Sequence, residues 1–190
     1  ESRTERSSYQ GKFKTYVLKD HAKHVKISSS DVEARHAQFP NFEAKLEILD
    51  NARPNLGTSE FDGRTFSIEK GSGLRGESLE APNAQFTQIN GDLEVESTNI
   101  ASQYLEVGGK ISGKSADLKA EVLKTHSTAE LLADDVALAA TTEMDHQGNI
   151  KAKNSVYVKT PNGYIPVGEI QTSGWMTIES HFTQEQVIEL

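Results

Sequence analysis

Along most of the chain, apolar residues come in short apolar–polar–apolar triplets rather than long runs. Val25-Lys26-Ile27, Phe42-Glu43-Ala44, Phe66-Ser67-Ile68 and Leu79-Glu80-Ala81 are followed by Leu118-Lys119-Ala120, Val136-Ala137-Leu138 and Val156-Tyr157-Val158. Successive side chains on a strand point to opposite faces, so each triplet turns two residues inward and one outward. Gly, Asn, Asp, Ser and Pro fill the intervals, and these residue types suit tight turns. Near the middle the unit is echoed: Asp92-Leu93-Glu94-Val95 leads to Ile100, and Tyr104-Leu105-Glu106-Val107 leads to Ile111.

The spacing of the triplets selects the architecture. Val25, Phe42, Phe61, Leu79, Ile100, Leu118, Val136 and Val156 stand 17 to 21 residues apart, and a second track runs through Leu93, Ile111 and Ala129. Self-similarity at a period near 20 marks a solenoid, in which each coil is covered only by its neighbours. Stacked strands lie about 4.8 Å apart, so roughly eight coils give a rod about 40 Å long. The prediction is an all-β, elongated parallel β-solenoid. The competing reading is an antiparallel β-sandwich, since Asp62-Gly63, Asn90-Gly91 and Asn162-Gly163 are hairpin dipeptides. Against it, most triplets are too short to cross a sheet. Residues 116–140 carry helix-favouring Ala, Leu, Lys and Glu, but no 3.6-residue stripe survives the break at Thr125-His126-Ser127-Thr128. The alternation of Leu118, Ala120 and Val122 predicts strand there.

Three regions follow. Residues 1–12 form a polar, flexible N-terminal arm, 13–160 the solenoid, and 161–190 a C-terminal capping segment. Within the cap, Thr183 and Gln186 have capping-box spacing, and Phe182 with Val187 fits the hydrophobic staple around it. A short terminal helix over 184–190 would cover the open end of the core, because an uncapped coil exposes unpaired strand edges.

Composition narrows the function more by exclusion than by assignment. Apolar residues make up 35% of the chain and mean hydropathy is −0.56, values that suit a thin core under much polar surface. A net charge of −8 argues against nucleic acid and against an anionic membrane surface as partner. There is no cysteine for a disulfide or thiolate site, and no apolar run near the roughly 20 residues of a membrane span. No stretch reads as a signal peptide, and a chain starting at Glu1 is compatible with a mature secreted protein or a trimmed one, so the compartment stays open.

The residues that carry chemistry elsewhere are scattered here. His21 and His24 lack further ligands at metal spacing, and His36, His126, His146 and His181 are isolated; all are expected to be exposed. Asp134-Asp135 is a poor acid–base pair, since neighbours on a strand face opposite sides, and a corner position suits it better. Gly71-Ser72-Gly73 and Gly108-Gly109 match no phosphate loop and fit tight corners. Glu80, Glu94 and Glu106 are outward positions, and spacings shorter than one coil place them on different faces. No catalytic site, metal or cofactor is expected. The candidate interface is the concentration of large apolar residues late in the chain: Tyr164, Ile165, Trp175 and Met176, with Phe182 and Val187 beyond them.

The segments SIEKG (Ser67–Gly71), LEVGGKISG (Leu105–Gly113) and QGNIKA (Gln147–Ala152) resemble the rhythm of the bactofilins, bacterial cytoskeletal proteins. The resemblance covers Ser67 to about Val158. It implies a right-handed single-stranded β-helix that polymerises end to end without nucleotide, in the bacterial cytoplasm. The stretch QGNIKAKNSVYVKTPNGYIPVGEI is similar in style to the shafts of phage tail fibres and pilus-tip adhesins, which would place the chain on a cell or virion surface. The expected function is therefore structural: a non-catalytic protein that self-assembles or scaffolds through its solenoid. The alternative is an extracellular binding module that recognises a surface glycan or protein.

Overall fold

A computed structural model describes residues 5–161, 163–164 and 166–180. It is an all-β parallel solenoid of about nine turns, with every named strand pair parallel. The sandwich reading is thereby excluded, and residues 116–140 are strand on both sides of a turn at His126–Ala129, with no helix.

Each coil has three faces. Face 1 is built from β1 (Arg6–Tyr9), β3 (His24–Ile27), β5 (Lys45–Ile48) and β7 (Thr65–Ile68). Face 3 opens with β2 (Phe13–Lys19), β4 (Val32–Phe39) and β6 (Thr58–Phe61). From β8 (Gly73–Ile89) onward the backbone stays extended through corners, so β8 and β9 (Asp92–Val107) each run across all three faces. β10 (Lys110–Ser112) continues face 2, β11 (Ser115–Thr125) faces 3 and 1, and β12 (Glu130–His146) all three. β13 (Asn149–Thr160) is followed by β14 (Glu169–Thr172) on face 2 and β15 (Trp175–Ser180) on face 3. The parallel ladder extends past both boundaries drawn from the sequence: β1 lies within residues 1–12, and β14 and β15 within 161–190. The terminal helix expected over 184–190 lies outside the described residues. Among the described residues, no helix is long and apolar enough to cross a membrane.

Inward side chains stack rung on rung. On face 1, Ile27, Ile48, Ile68, Ile89 and Val107 form one buried row, and Val25, Leu46, Phe66, Leu105 and Leu123 belong to the row beside it. Face 2 contributes Leu74, Leu93, Ile111, Leu131 and Ile150. Face 3 contributes Leu79, Ala116, Val136 and Val156 beside Ile100, Leu118, Leu138 and Val158. Rungs recur every 18 to 22 residues, near the predicted period. The sequence track, however, hops between stacks. Val25 lies on face 1, Phe42 is exposed at a corner, and Leu79 with Val136 belongs to a different row from Ile100 with Leu118. Ile111 is followed by Leu131, not Ala129. Two inward rows stand two residues apart on one face, so a slip between them leaves the period almost unchanged. Glu121 at a corner likewise shifts the parity predicted for β11: Val122 turns outward and Leu123 is buried.

Corners between faces 1 and 2 are tight enough to bring successive backbones into contact. A Cβ on Gly109 would lie 1.9 Å from the Gly91 carbonyl oxygen, and one on Gly91 2.1 Å from that of Ser72. Glycine is required there by close approach, as expected for Gly108-Gly109. Gly71, at φ +89°, supplies a left-handed corner one coil earlier. We expect Gly109→Ala to cost about 2–4 kcal/mol in urea unfolding. Gly11→Ala, where nothing lies within 4 Å of the added methyl, should be close to neutral.

Candidate functional site

The two ends of the rod are chemically unlike. At the N-terminal end, Asp20 forms a polar lid over the first coil. Its carboxylate accepts from Ser7 Oγ (3.0 Å), Tyr9 Oη (2.6 Å) and the Ala22 N–H (2.9 Å). Burial, together with the neighbouring Asp20, pushes the Tyr9 hydroxyl well above its usual ionisation range. Leu18 is buried beneath this network. The interior of the first coil is therefore filled by hydrogen bonds that its own chain supplies, while β2 pairs with β4 alone and its other edge has no strand partner among the described residues.

At the C-terminal end the inward rows run out into the open. β15 pairs with β13 so that Met176 follows Val156 and Ile178 follows Val158. Val156 and Val158 are 1% and 0% exposed, whereas Met176 and Ile178 are 51% and 43% exposed. Trp175, the outward residue on the rung after Ser155, is 82% exposed, and Val167 is exposed as well. Trp175 and Met176, both predicted for an interface, thus lie on the same last strand, one turned outward from face 3 and the other along an inward row. Tyr164 does something different. It is half-buried against the core, its hydroxyl accepts from the His146 N–H (2.8 Å), and its carbonyl accepts from Thr160 Oγ1 (2.8 Å). It is a strut tying the last corner to the coil before. Ile165, Phe182 and Val187 lie outside the described residues.

Just inside this end sits a buried polar pair that the sequence did not reveal. His146, expected to be exposed, is fully buried. It ends the face 1 row of Ile89 and Val107, with Thr125 between. Thr125 Oγ1 accepts from the N–H groups of Gln147 and Gly148, both at 3.1 Å, so its own proton goes to His146 Nδ1 at 2.6 Å. The ring is then neutral with its proton on Nε2, which has no partner among the described residues. Burial lowers the His146 pKa from its ordinary value, partly offset by the Asp145 charge. The sequence signal was parity: Met144, His146 and then Ile150 continue inward positions.

The outward ionisable groups do not converge. Glu80 lies on face 3, Glu94 on face 2 and Glu106 on face 1, so the three are held apart as their short spacing implied. Glu106 pairs with His126, and Glu47 with His24. Burial raises the Glu47 pKa, but the His24 hydrogen bond and the charges of Lys45, His24 and Lys26 outweigh it, and the net shift is downward. Asp134 falls at the corner where the register shifts, and Asp135 accepts from Ser155 Oγ at 2.7 Å. Among the described residues, no group of three His, Asp or Glu side chains gathers to hold a metal ion. Along face 3, Ser97, Asn99, Asp117, Asp135, Ser155 and Tyr157 line a shallow groove of about 300 Å³. Compared with protein-family models, with curated proteins and with solved structures, the chain finds no match in any of the three.

The buried imidazole gives a signed pH dependence. The unfolded His146 titrates near pH 6.5, while the folded one titrates lower. Above that pH both states hold the ring neutral and it adds no pH dependence, and stability is lost as pH falls from about 6.5 toward the folded value. The urea midpoint of the wild type should therefore drop between pH 7.5 and 5.0, and His146→Leu should flatten that drop. Thr125→Val, which orphans the Gly148 N–H and His146 Nδ1, should cost about 1–3 kcal/mol at neutral pH.

Proposed function

We propose that this chain is a non-catalytic structural protein that self-assembles through the ends of its β-solenoid. The observation that carries the reading is the exposure of Met176 and Ile178 in positions that are fully buried one coil earlier. Among the described residues no strand pairs with the far edge of β15, so a row of N–H and C=O groups is free to pair there, and the apolar floor beside it favours a further layer over water. The bactofilin resemblance supports the same reading, since that family polymerises end to end without nucleotide. Sedimentation velocity on the full chain should show mass rising with concentration without added nucleotide. Met176→Glu with Ile178→Lys should abolish that rise while the far-UV circular dichroism stays β-type. A wild type that is monomeric from 1 µM to about 500 µM would sink the reading.

A second reading, a surface-binding module, is favoured by one observation. Trp175 stands free at the end of the face 3 groove, on the rung after Ser155 and Tyr157. An exposed indole beside hydroxyl and carboxylate groups is a surface on which a sugar ring stacks and hydrogen-bonds. Glycan-array binding by the wild type that disappears in Trp175→Ala, with assembly unchanged, would favour this reading over the first.

A further inference from the structure

We propose that assembly is head to tail: the N-terminal coil of one copy docks on the C-terminal coil of the next, giving a polar filament. The inference rests on the self-assembly reading above and specifies its geometry. Three independent features support it.

The first is charge. Residues 5–26 hold six Lys and Arg against two Asp and Glu, although the whole chain carries −8. From Thr160 to Ser180 there is no Lys or Arg, while Glu169 and Glu179 remain. The rod is thus basic at one end and acidic at the other. Like ends repel and unlike ends attract, both at contact and over roughly a Debye length on approach.

The second is the direction of the strands. Face 3 is an unbroken ladder of nine rungs, Val17, His36, Thr58, Ser78, Ser97, Ser115, Asp135, Ser155 and Trp175. Only a second copy in the same orientation continues that parallel hydrogen-bond pattern. A copy turned end for end would bring β15 against β15 antiparallel and break the parallel ladder at the junction.

The third is what the continued register brings together. Placing β2 of one copy as the tenth rung on face 3 sets its Val17 beside Trp175, both of them exposed in the single chain. Its Lys19 then falls beside Thr177, with Glu179 diagonal to it and within reach of a long side chain. Phe13, itself exposed and next to Val32 in register, reaches the open end of face 2. Exposed apolar groups and opposite charges on the two ends therefore meet in a single register.

The test separates this geometry from self-assembly as such. One variant, Lys12→Glu with Lys19→Glu, spoils the N-terminal end. Another, Glu179→Lys, reverses charge at the C-terminal end without touching the inward rows, and Met176→Glu with Ile178→Lys blocks that end outright. Sedimentation velocity should show each variant at least tenfold weaker in self-association than the wild type, whose own association weakens from 50 to 500 mM NaCl. An equimolar mixture of the N-end variant and the blocked C-end variant should form a heterodimer and stop there, because each retains one competent end. If the N-end variant alone forms a stable dimer, the C-terminal ends pair with each other: head-to-tail docking fails while self-assembly survives. If the wild type stays monomeric in every salt and assembles only after residues 181–190 are removed, that segment and not a second copy covers the open end, and both readings fail.

Discussion

The whole structure depends on one constraint: each coil must return to the same place about 4.8 Å along the axis. The core is only as wide as the inward side chains of three short faces, so no residue is buried by anything except its own rung and the two beside it. That makes the corners as important as the core. Where faces 1 and 2 meet, the backbone of one coil lies against the carbonyls of the coil before, and Gly91 and Gly109 leave no room for a side chain. The rows of Ile and Leu in the interior can stack only because those corners permit the approach. Elsewhere, side chains tie coils together: Arg53 reaches past Gly73 to Asp92 two coils on.

The same constraint explains the chemical character of the two ends. Among the described residues the stack has a first and a last coil, and each leaves inward positions without a neighbour on one side. At the first coil the chain solves this itself, by placing Asp20 where Ser7, Tyr9 and the Ala22 amide converge on it. The last coil receives no such lid from the described residues, and its inward positions hold Met176 and Ile178. Thr125 and His146 stand close to that end, where the apolar row of face 1 gives way to hydrogen bonds. A neutral buried imidazole is a poorer filler than the isoleucines behind it in that row.

Much of the architecture was legible because alternation and period are properties of sequence. Triplets such as Phe66-Ser67-Ile68 and Val156-Tyr157-Val158 do what strand parity requires. What escaped is equally physical. Parity holds within a face but not across a corner, so Val122 pointed the wrong way once Glu121 had turned the chain. Phe42 shows that an aromatic at a corner is not held to the core by its hydrophobicity alone. Trp175 and Met176 were visible as large apolar residues late in the chain, whereas the strut made by Tyr164 depends on a hydrogen bond to a backbone that only the fold brings near. His146 was missed because an isolated histidine is assigned by habit to the surface, although its neighbours Met144 and Ile150 marked the inward parity.

Face 3 has a consequence of a different kind. Nine rungs in one unbroken register, from Val17 to Trp175, behave as the graduations of a ruler. Gain or loss of a whole coil changes the length by one step of about 4.8 Å and leaves the contacts of coils away from the junction as they were. Loss of a few residues within a strand instead puts each later side chain on the wrong side. Length in such a protein is a counted quantity, free to change by whole coils and closed to anything smaller.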